Sequence, residues 1–66
     1  MENDIRRLRF EHNEMTQAEL ADRIGVTRQT IIAIEQNKYA PSLEAAFRIA
    51  AVFDLPIDQV FRHKPE

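Results

Sequence analysis

The chain contains no cysteine and only one glycine among its 66 residues. Without a thiol it has no disulfide and no thiolate metal site, and a single glycine cannot form a glycine-rich phosphate loop. His12 and His63 lack a third ligand at metal-binding spacing, and Ser42, the only serine, is placed as a helix cap. These absences argue against a catalytic site, a metal site and a bound cofactor.

Long apolar runs are also missing, and Met1 is followed directly by three polar residues. Neither a membrane span nor a signal peptide is therefore expected. The sequence predicts a soluble, cytoplasmic protein with no membrane partner and no evident small-molecule ligand. Its length predicts one domain over residues 1–66, with a core small enough for stability to be marginal.

Two helical patterns separated by a short turn occupy residues 16–37. Thr16 and Glu19 form a capping box, which predicts a helix that begins at Gln17. Gly25 suits the left-handed end of that helix, and Thr27 caps the next one. The inward positions at helical spacing are Leu20, Ala21, Ile24, Ile31 and Ile34. Because the turn is too short for antiparallel packing, the pattern predicts a helix-turn-helix, whose second helix enters the major groove of DNA.

Arg28 and Gln29 open the second of these helices. Arginine can donate two hydrogen bonds to guanine, and glutamine can both donate to and accept from adenine. Ile32 and Ala33 lie one turn further along the same outward face. A thymine methyl group is a suitable partner for Ile32, although a solitary exposed isoleucine explains it equally well. We expect base contacts from Arg28, Gln29, Ile32 and Ala33.

Three further helices are predicted around this motif. Asn3 or Asp4 can cap a first helix with Ile5 and Leu8 inward, and Pro56 opens a short fifth helix that ends near Phe61. Ser42 caps the fourth helix, whose broad apolar face comprises Leu43, Ala46, Phe47, Ile49, Ala50 and Phe53. The polar tail over residues 62–66 is expected to be extended or disordered.

Many short stretches of this pattern recur in one known family. They are Leu8-Arg9, Met15-Thr16-Gln17, Glu19-Leu20-Ala21, Ile24 to Ile31, Ile34-Glu35, Asn37-Lys38-Tyr39, Pro41-Ser42-Leu43, Ala46, Ile49-Ala50 and Val60-Phe61. With them the chain resembles the Cro/C1-type (Xre) regulators of bacteria and phages, and most of all the compact single-domain group that contains the cytolysin repressor. The link from Glu11 to Met15 is one residue longer than in many members.

The resemblance implies an all-α, five-helix, lambda-repressor-like DNA-binding domain, with residues 1–3 and 61–64 paired as a small β-ribbon. It implies that Glu35 bridges to an arginine of the first helix, for which Arg9 is the candidate. Together with the free N–H groups at the start of the second helix, it indicates contacts to the DNA backbone. These are expected from Gln17, Thr27, Thr30, Asn37, Lys38, Tyr39 and Ser42.

A surplus of apolar residues near the C-terminus predicts a homodimer. So small a domain is not expected to bury Phe47, Val52, Phe53, Leu55, Ile57, Val60 and Phe61 completely. The interface is predicted at Phe47, Ile57, Val60 and Phe61. Two-fold symmetry then places two recognition helices about 34 Å apart on a near-palindromic operator.

The acidic balance, with net charge −2 and pI near 5.6, argues against binding to nucleic acid. However, residues 23–38 hold Arg23, Arg28 and Lys38 against Glu35 alone, so this segment carries +2 and the remainder −4. Two interpretations stay open. One is a sequence-specific, nucleoid-associated transcriptional regulator, more often a repressor; the other is a protein-interaction module, such as an antitoxin, in which DNA binding is secondary.

Overall fold

The structure is a computed structural model that describes residues 2–62, and the described chain is mainly helical. The elements in chain order are β1 (Glu2–Asn3), α1 (Ile5–Glu11), α2 (Gln17–Ile24), α3 (Arg28–Glu35), α4 (Leu43–Val52), a 3₁₀ helix (Ile57–Gln59) and β2 (Phe61–Arg62). The all-α prediction is confirmed. The predicted fifth helix is a single 3₁₀ turn, and it ends before Phe61, which lies in β2.

The β-ribbon is present in the described residues. Glu2 pairs with Arg62 and Asn3 with Phe61 in antiparallel register. The remaining predicted ribbon positions, 1, 63 and 64, and the tail over residues 63–66 lie outside the described residues. The ribbon brings the first and last described residues together, and Asn3 of β1 contacts the end of α3.

Three helices start at the predicted hydroxyl caps, because in each the side-chain oxygen accepts from the N–H three residues later. The pairs are Thr16 with Glu19 at 3.0 Å, Thr27 with Thr30 at 3.2 Å and Ser42 with Ala45 at 3.1 Å. The predicted capping box is only half formed. The Glu19 carboxylate accepts from the Thr16 hydroxyl at 3.3 Å and not from a backbone N–H.

Left-handed residues end three of the helices. Gly25 follows α2 with φ 77°, as predicted, while Asn37 follows α3 with φ 60° and Asp54 follows α4 with φ 55°. After α3, the N–H groups of Asn37 and Lys38 donate to the carbonyls of Ile34 and Ala33, each at 3.0 Å. These bonds satisfy carbonyls that the helix itself leaves free. The chain therefore turns sharply at the end of α3.

The longer link between α1 and α2 is accommodated within its own loop. Asn13 and Glu14 both have positive φ, 59° and 54°, and the N–H of Met15 donates to the carbonyl of Arg9 at 2.9 Å. These two residues fold the chain back on itself. The register of α1 is thereby kept, and Arg9 faces α3 as expected.

The core lies between the helices, with α2 packed on both α3 and α4. Its buried apolar residues are Ile5, Leu8, Met15, Leu20, Ala21, Ile24, Ile31, Ile34, Ala46, Ile49, Ala50, Phe53, Val60 and Phe61. The His12 ring meets the Phe53 ring edge to face at 5.0 Å. No helix within residues 2–62 has the length and apolar character that crossing a bilayer demands.

Burial corrects the predictions for α4 and the C-terminal segment. Val60 and Phe61, predicted to meet a second copy, are 0% and 7% exposed in the single chain. The carbonyl of Val60 accepts from the N–H of Asp4 at 3.0 Å, so the ribbon holds this segment against the core. By contrast, Leu43 and Phe47 are 69% and 54% exposed. The apolar face of α4 is therefore only partly covered.

Candidate nucleic-acid interface

The N-terminal turn of α3 presents its polar side chains to solvent. Thr27 caps the helix, and Arg28 and Gln29 are both exposed. Neither side chain makes a hydrogen bond or ion pair with any other residue in the part of the chain that the structure describes. The opposite face of the helix is anchored by Ile31 and Ile34, which are 0% and 1% exposed. The inner face of the helix is therefore anchored in the core, while the donors and acceptors of its first two side chains are unused within residues 2–62.

The next turn of α3 is less exposed. Ile32 and Ala33 are half-buried, as is Thr30, whose hydroxyl lies 3.0 Å from the Thr27 hydroxyl. The hydroxyl pair stiffens the first turn of the helix. Ile32 and Ala33 thus present only part of their surface to solvent, and the base contacts expected from them remain a prediction.

A nearly buried ion pair connects α1 to the end of α3. The Arg9 guanidinium donates to both Glu35 carboxylate oxygens, at 2.6 Å from Nε and 3.0 Å from Nη2. Its Nη1 donates to the carbonyl of Met15 at 2.8 Å. The two side chains are only 14% and 8% exposed. Arg9 is thus the partner of Glu35, and the pair neutralises the negative charge at the C-terminal end of α3.

Gln17 is joined to the same network at the first turn of α2. Its Nε2 donates to Glu35 at 3.3 Å, and its side chain is half-buried. This bond fixes the side chain close to free backbone N–H groups, which favour an anion. Gln17 and Arg28 line one open groove together with Arg6 and Gln36.

Arg6 is a further cation of this groove, and it lies outside the contacts that the sequence predicts. It is exposed and lies on α1, far in sequence from the helix-turn-helix. One signal was available, since Arg6 is three residues before Arg9, which places both on adjacent positions of one helical face. Its side chain has no ion-pair partner among residues 2–62.

The loop after α3 is exposed at Asn37, Lys38 and Tyr39. Lys38 extends without an ion-pair partner in the described chain, and Tyr39 is 54% exposed. Asn37 is held from one side, because its Oδ1 accepts from Asn3 Nδ2 at 3.2 Å. Ser42 is also exposed, with its hydroxyl accepting from Ala45 as a cap.

Charge is distributed unevenly over the described surface. Four arginines are neutralised in ion pairs, namely Arg7 with Asp4 and Glu11, Arg9 with Glu35, Arg48 with Glu44 and Arg62 with Asp4. Across residues 2–62, the cations left without an acidic partner are Arg6, Arg23, Arg28 and Lys38. Three of these four belong to α2, α3 and the following loop. The positive charge that remains free is therefore concentrated around the helix-turn-helix.

Comparison with known proteins gives a consistent result. A family model described as helix-turn-helix matches residues 5–60. A relative from Methanocaldococcus jannaschii is 47% identical over 66 residues, covering 100% of this chain and 98% of that protein. One from Archaeoglobus fulgidus is 48% identical over 61 residues, covering 92% and 84%. A third, from Bacillus subtilis, is 39% identical over 61 residues, covering 92% and 91%.

These three relatives are described as uncharacterised HTH-type transcriptional regulators. Two come from archaea and one from a bacterium. The sequence resemblance noted for bacterial and phage regulators therefore extends to archaeal proteins of nearly the same length.

Proposed function

Since the chain belongs to the Cro/C1-type helix-turn-helix family, we propose that it is a cytoplasmic, sequence-specific transcriptional regulator. In this proposal residues 1–66 act as one DNA-binding domain. Two copies bind a near-palindromic operator, each with α3 in the major groove, and they repress by blocking access to the promoter. Arg28, Gln29, Ile32 and Ala33 contact the bases.

The observation that carries the proposal is the state of Arg28 and Gln29. Both are exposed on a helix anchored by buried isoleucines, and both are free of partners in the described chain. A rigid helix loses little conformational entropy when it docks, and uncommitted donors need not break internal bonds to reach base edges. This combination suits base recognition better than it suits a solvated surface.

Phosphate contacts are assigned to the residues around the two ends of α3. They are Gln17, Thr27, Thr30, Asn37, Lys38, Tyr39 and Ser42, with Arg6 added from its place in the groove beside Arg28. Because the rest of the protein is acidic, these few cations supply little non-specific affinity. The protein is expected to bind random DNA weakly and to depend on base contacts and dimer symmetry.

The dimer interface is proposed at the uncovered apolar surface of α4. Leu43 and Phe47 lie one helical turn apart on the same face and are both largely exposed, while Ile57 is half-buried. Val60 and Phe61 support this surface from the core and contribute little contact area of their own.

Sedimentation equilibrium tests the interface, with Phe47→Asp as the disrupting variant. Phe10→Asp is a matched control, because Phe10 is also an exposed phenylalanine, at 68%, but lies on α1. We expect wild type and Phe10→Asp to be dimers and Phe47→Asp to be a monomer. Equal dimerisation of all three proteins would show that the interface lies elsewhere.

A DNA selection experiment tests the function itself. Sequences bound by the wild-type protein are selected from a random library, and the affinities of Arg28→Ala, Gln29→Ala and Lys38→Ala are then measured on the selected site and on random DNA. Arg28→Ala or Gln29→Ala is expected to cost about 1–3 kcal/mol on the site alone, and Lys38→Ala to weaken both DNAs and lower the salt slope by about 1. Arg7→Ala, at an exposed arginine paired with Asp4 and Glu11, is the control and should bind normally.

An antitoxin-like interaction module is the alternative function. It predicts a stable complex with a partner protein and no enriched motif in the DNA selection. Free base-contacting side chains favour the regulator, because a protein-binding role does not require an exposed arginine and glutamine at the start of this helix.

A further inference from the structure

Asn3, in the N-terminal strand β1, contacts the end of the recognition helix, 31 residues away in the sequence. Its Nδ2 donates to the carbonyl of Ile34 at 2.9 Å and to Oδ1 of Asn37 at 3.2 Å. Its Oδ1 accepts from the N–H of Ile5 at 3.1 Å. The side chain therefore links β1, the start of α1 and the end of α3.

The three partners fix the orientation of the Asn3 amide. A carbonyl and a side-chain oxygen require donors, and the N–H of Ile5 requires an acceptor, so only one of the two amide orientations satisfies all three bonds. The carbonyl of Ile34 already accepts from the N–H of Asn37 in the turn that ends α3. Asn3 adds a second bond to this oxygen and so reinforces the turn.

The hydrogen bond from Asn3 also determines which end of the Asn37 side-chain amide faces solvent. Asn37 has φ 60°, and its Oδ1 is occupied by Asn3. Among residues 2–62 its Nδ2, the donor end of the amide, has no hydrogen-bond partner, and Asn37 is an exposed residue next to Lys38 and Tyr39. Phosphate oxygens accept hydrogen bonds and never donate them, so the available end is the one that a phosphate needs.

We infer that Asn3 is a positioning residue for DNA binding, which holds the loop over residues 37–39 in the geometry that contacts the DNA backbone. This inference rests on the proposed function. It makes the terminal β-ribbon part of the binding apparatus, since β1 carries Asn3 and is itself held by pairing with β2. The Asn3 side chain acts through Asn37 and need not touch DNA.

Asn3→Asp is the variant of choice, because it keeps the shape and the oxygen that accepts from Ile5. It loses the donor to Ile34 and Asn37 and places a carboxylate against two oxygens. Arg62→Ala is the matched control: it removes the 2.5 Å bond from Arg62 to Asp4 at the same ribbon but leaves Asn3 intact. Thermal unfolding of both variants shows how far each one affects stability alone.

Affinity is then measured on an operator selected with the wild-type protein and on copies in which single phosphates are replaced by neutral methylphosphonates. Wild type and Arg62→Ala should bind more weakly when the phosphate next to the loop over residues 37–39 is replaced. Asn3→Asp should bind the unmodified operator about two- to tenfold more weakly, the range for one lost hydrogen bond. Its affinity should fall less than that of wild type when that phosphate is replaced, because the contact from Asn37 is already lost, and its preferred base sequence should be unchanged.

Two outcomes would overturn the inference. In one, Asn3→Asp keeps the wild-type response to every methylphosphonate; in the other, Arg62→Ala loses the same phosphate contact to the same extent, which would mean that ribbon stability alone matters. Failure of the wild-type protein to select any operator would instead refute the proposed function, so the two failures are distinguishable.

Discussion

Replacing Glu35 with glutamine should destabilise the protein more than any change at an exposed ion pair. The Glu35 carboxylate receives two hydrogen bonds from Arg9 and one from Gln17. In Glu35→Gln, one of the oxygens facing the guanidinium becomes an amide group that is itself a donor. Arg9, only 14% exposed, then keeps its charge without a counter-charge.

The size of the effect follows from this burial. Removing one partner of a buried ion pair costs about 3–5 kcal/mol. Arg9 keeps its bond to the carbonyl of Met15, which places the loss near the lower limit, about 3 kcal/mol. A core of this size rarely supplies more than about 3–5 kcal/mol, so most of the stability would be lost. The melting temperature should fall by about 12–24 °C, at about 4–8 °C per kcal/mol.

Urea and thermal unfolding followed by far-UV circular dichroism measure this loss. Glu44→Gln is the control, because the Glu44–Arg48 pair has the same charges but side chains 74% and 53% exposed. Its loss should be within about 0.5 kcal/mol. If Glu35→Gln were also within about 0.5 kcal/mol of wild type, the assigned role of the pair would be refuted.

Three smaller effects are also expected. Gly25→Ala should lower the free energy of unfolding in urea by about 1–2 kcal/mol, because alanine is strained at a φ of 77°. An added Cβ would not clash, since its nearest neighbour, Arg48 Nη1, is 3.7 Å away. An unchanged urea midpoint would show that the turn relaxes freely. Thr27→Ala should cost about 1 kcal/mol through loss of the α3 cap, and Thr27→Ser should restore it; equal stability of both would contradict that role. The hydrogen bond from Arg62 is the main reason that the pKa of Asp4 lies below its usual value. The stabilisation of the fold by this bond is complete above about pH 4 and is lost as pH falls through the lower folded-state pKa. The melting temperature of Asp4→Asn should therefore depend less on pH in acid than that of wild type, and equal pH dependence of the two proteins would exclude this linkage.

Features set by neighbouring residues were predictable from the sequence. The caps at Thr16, Thr27 and Ser42 and the turn at Gly25 depend on side chains within three residues and on backbone conformation. These local rules determine where three of the helices begin. The pairing of Arg9 with Glu35 had a different origin, because it followed from family resemblance and not from spacing.

Features set by contacts between distant residues were not predictable in this way. Apolar character alone cannot tell whether a side chain is buried by its own chain or by a second copy, so the sequence predicts Val60 and Phe61 at an interface although the core covers them. The bond from Asn3 to Ile34 joins residues 31 positions apart. No local pattern in the sequence indicates that the first strand would reach the end of α3.

Binding to operators that contain 7-deazaguanine tests the central claim most directly, since this base lacks only the N7 acceptor in the major groove. When the guanine opposite Arg28 is replaced, wild type should lose about tenfold in affinity, the equivalent of about 1.4 kcal/mol. Arg28→Ala should bind the natural and substituted operators equally. Wild-type affinity unchanged by 7-deazaguanine at every guanine of the selected site would contradict the placement of α3 in the major groove with Arg28 at a guanine.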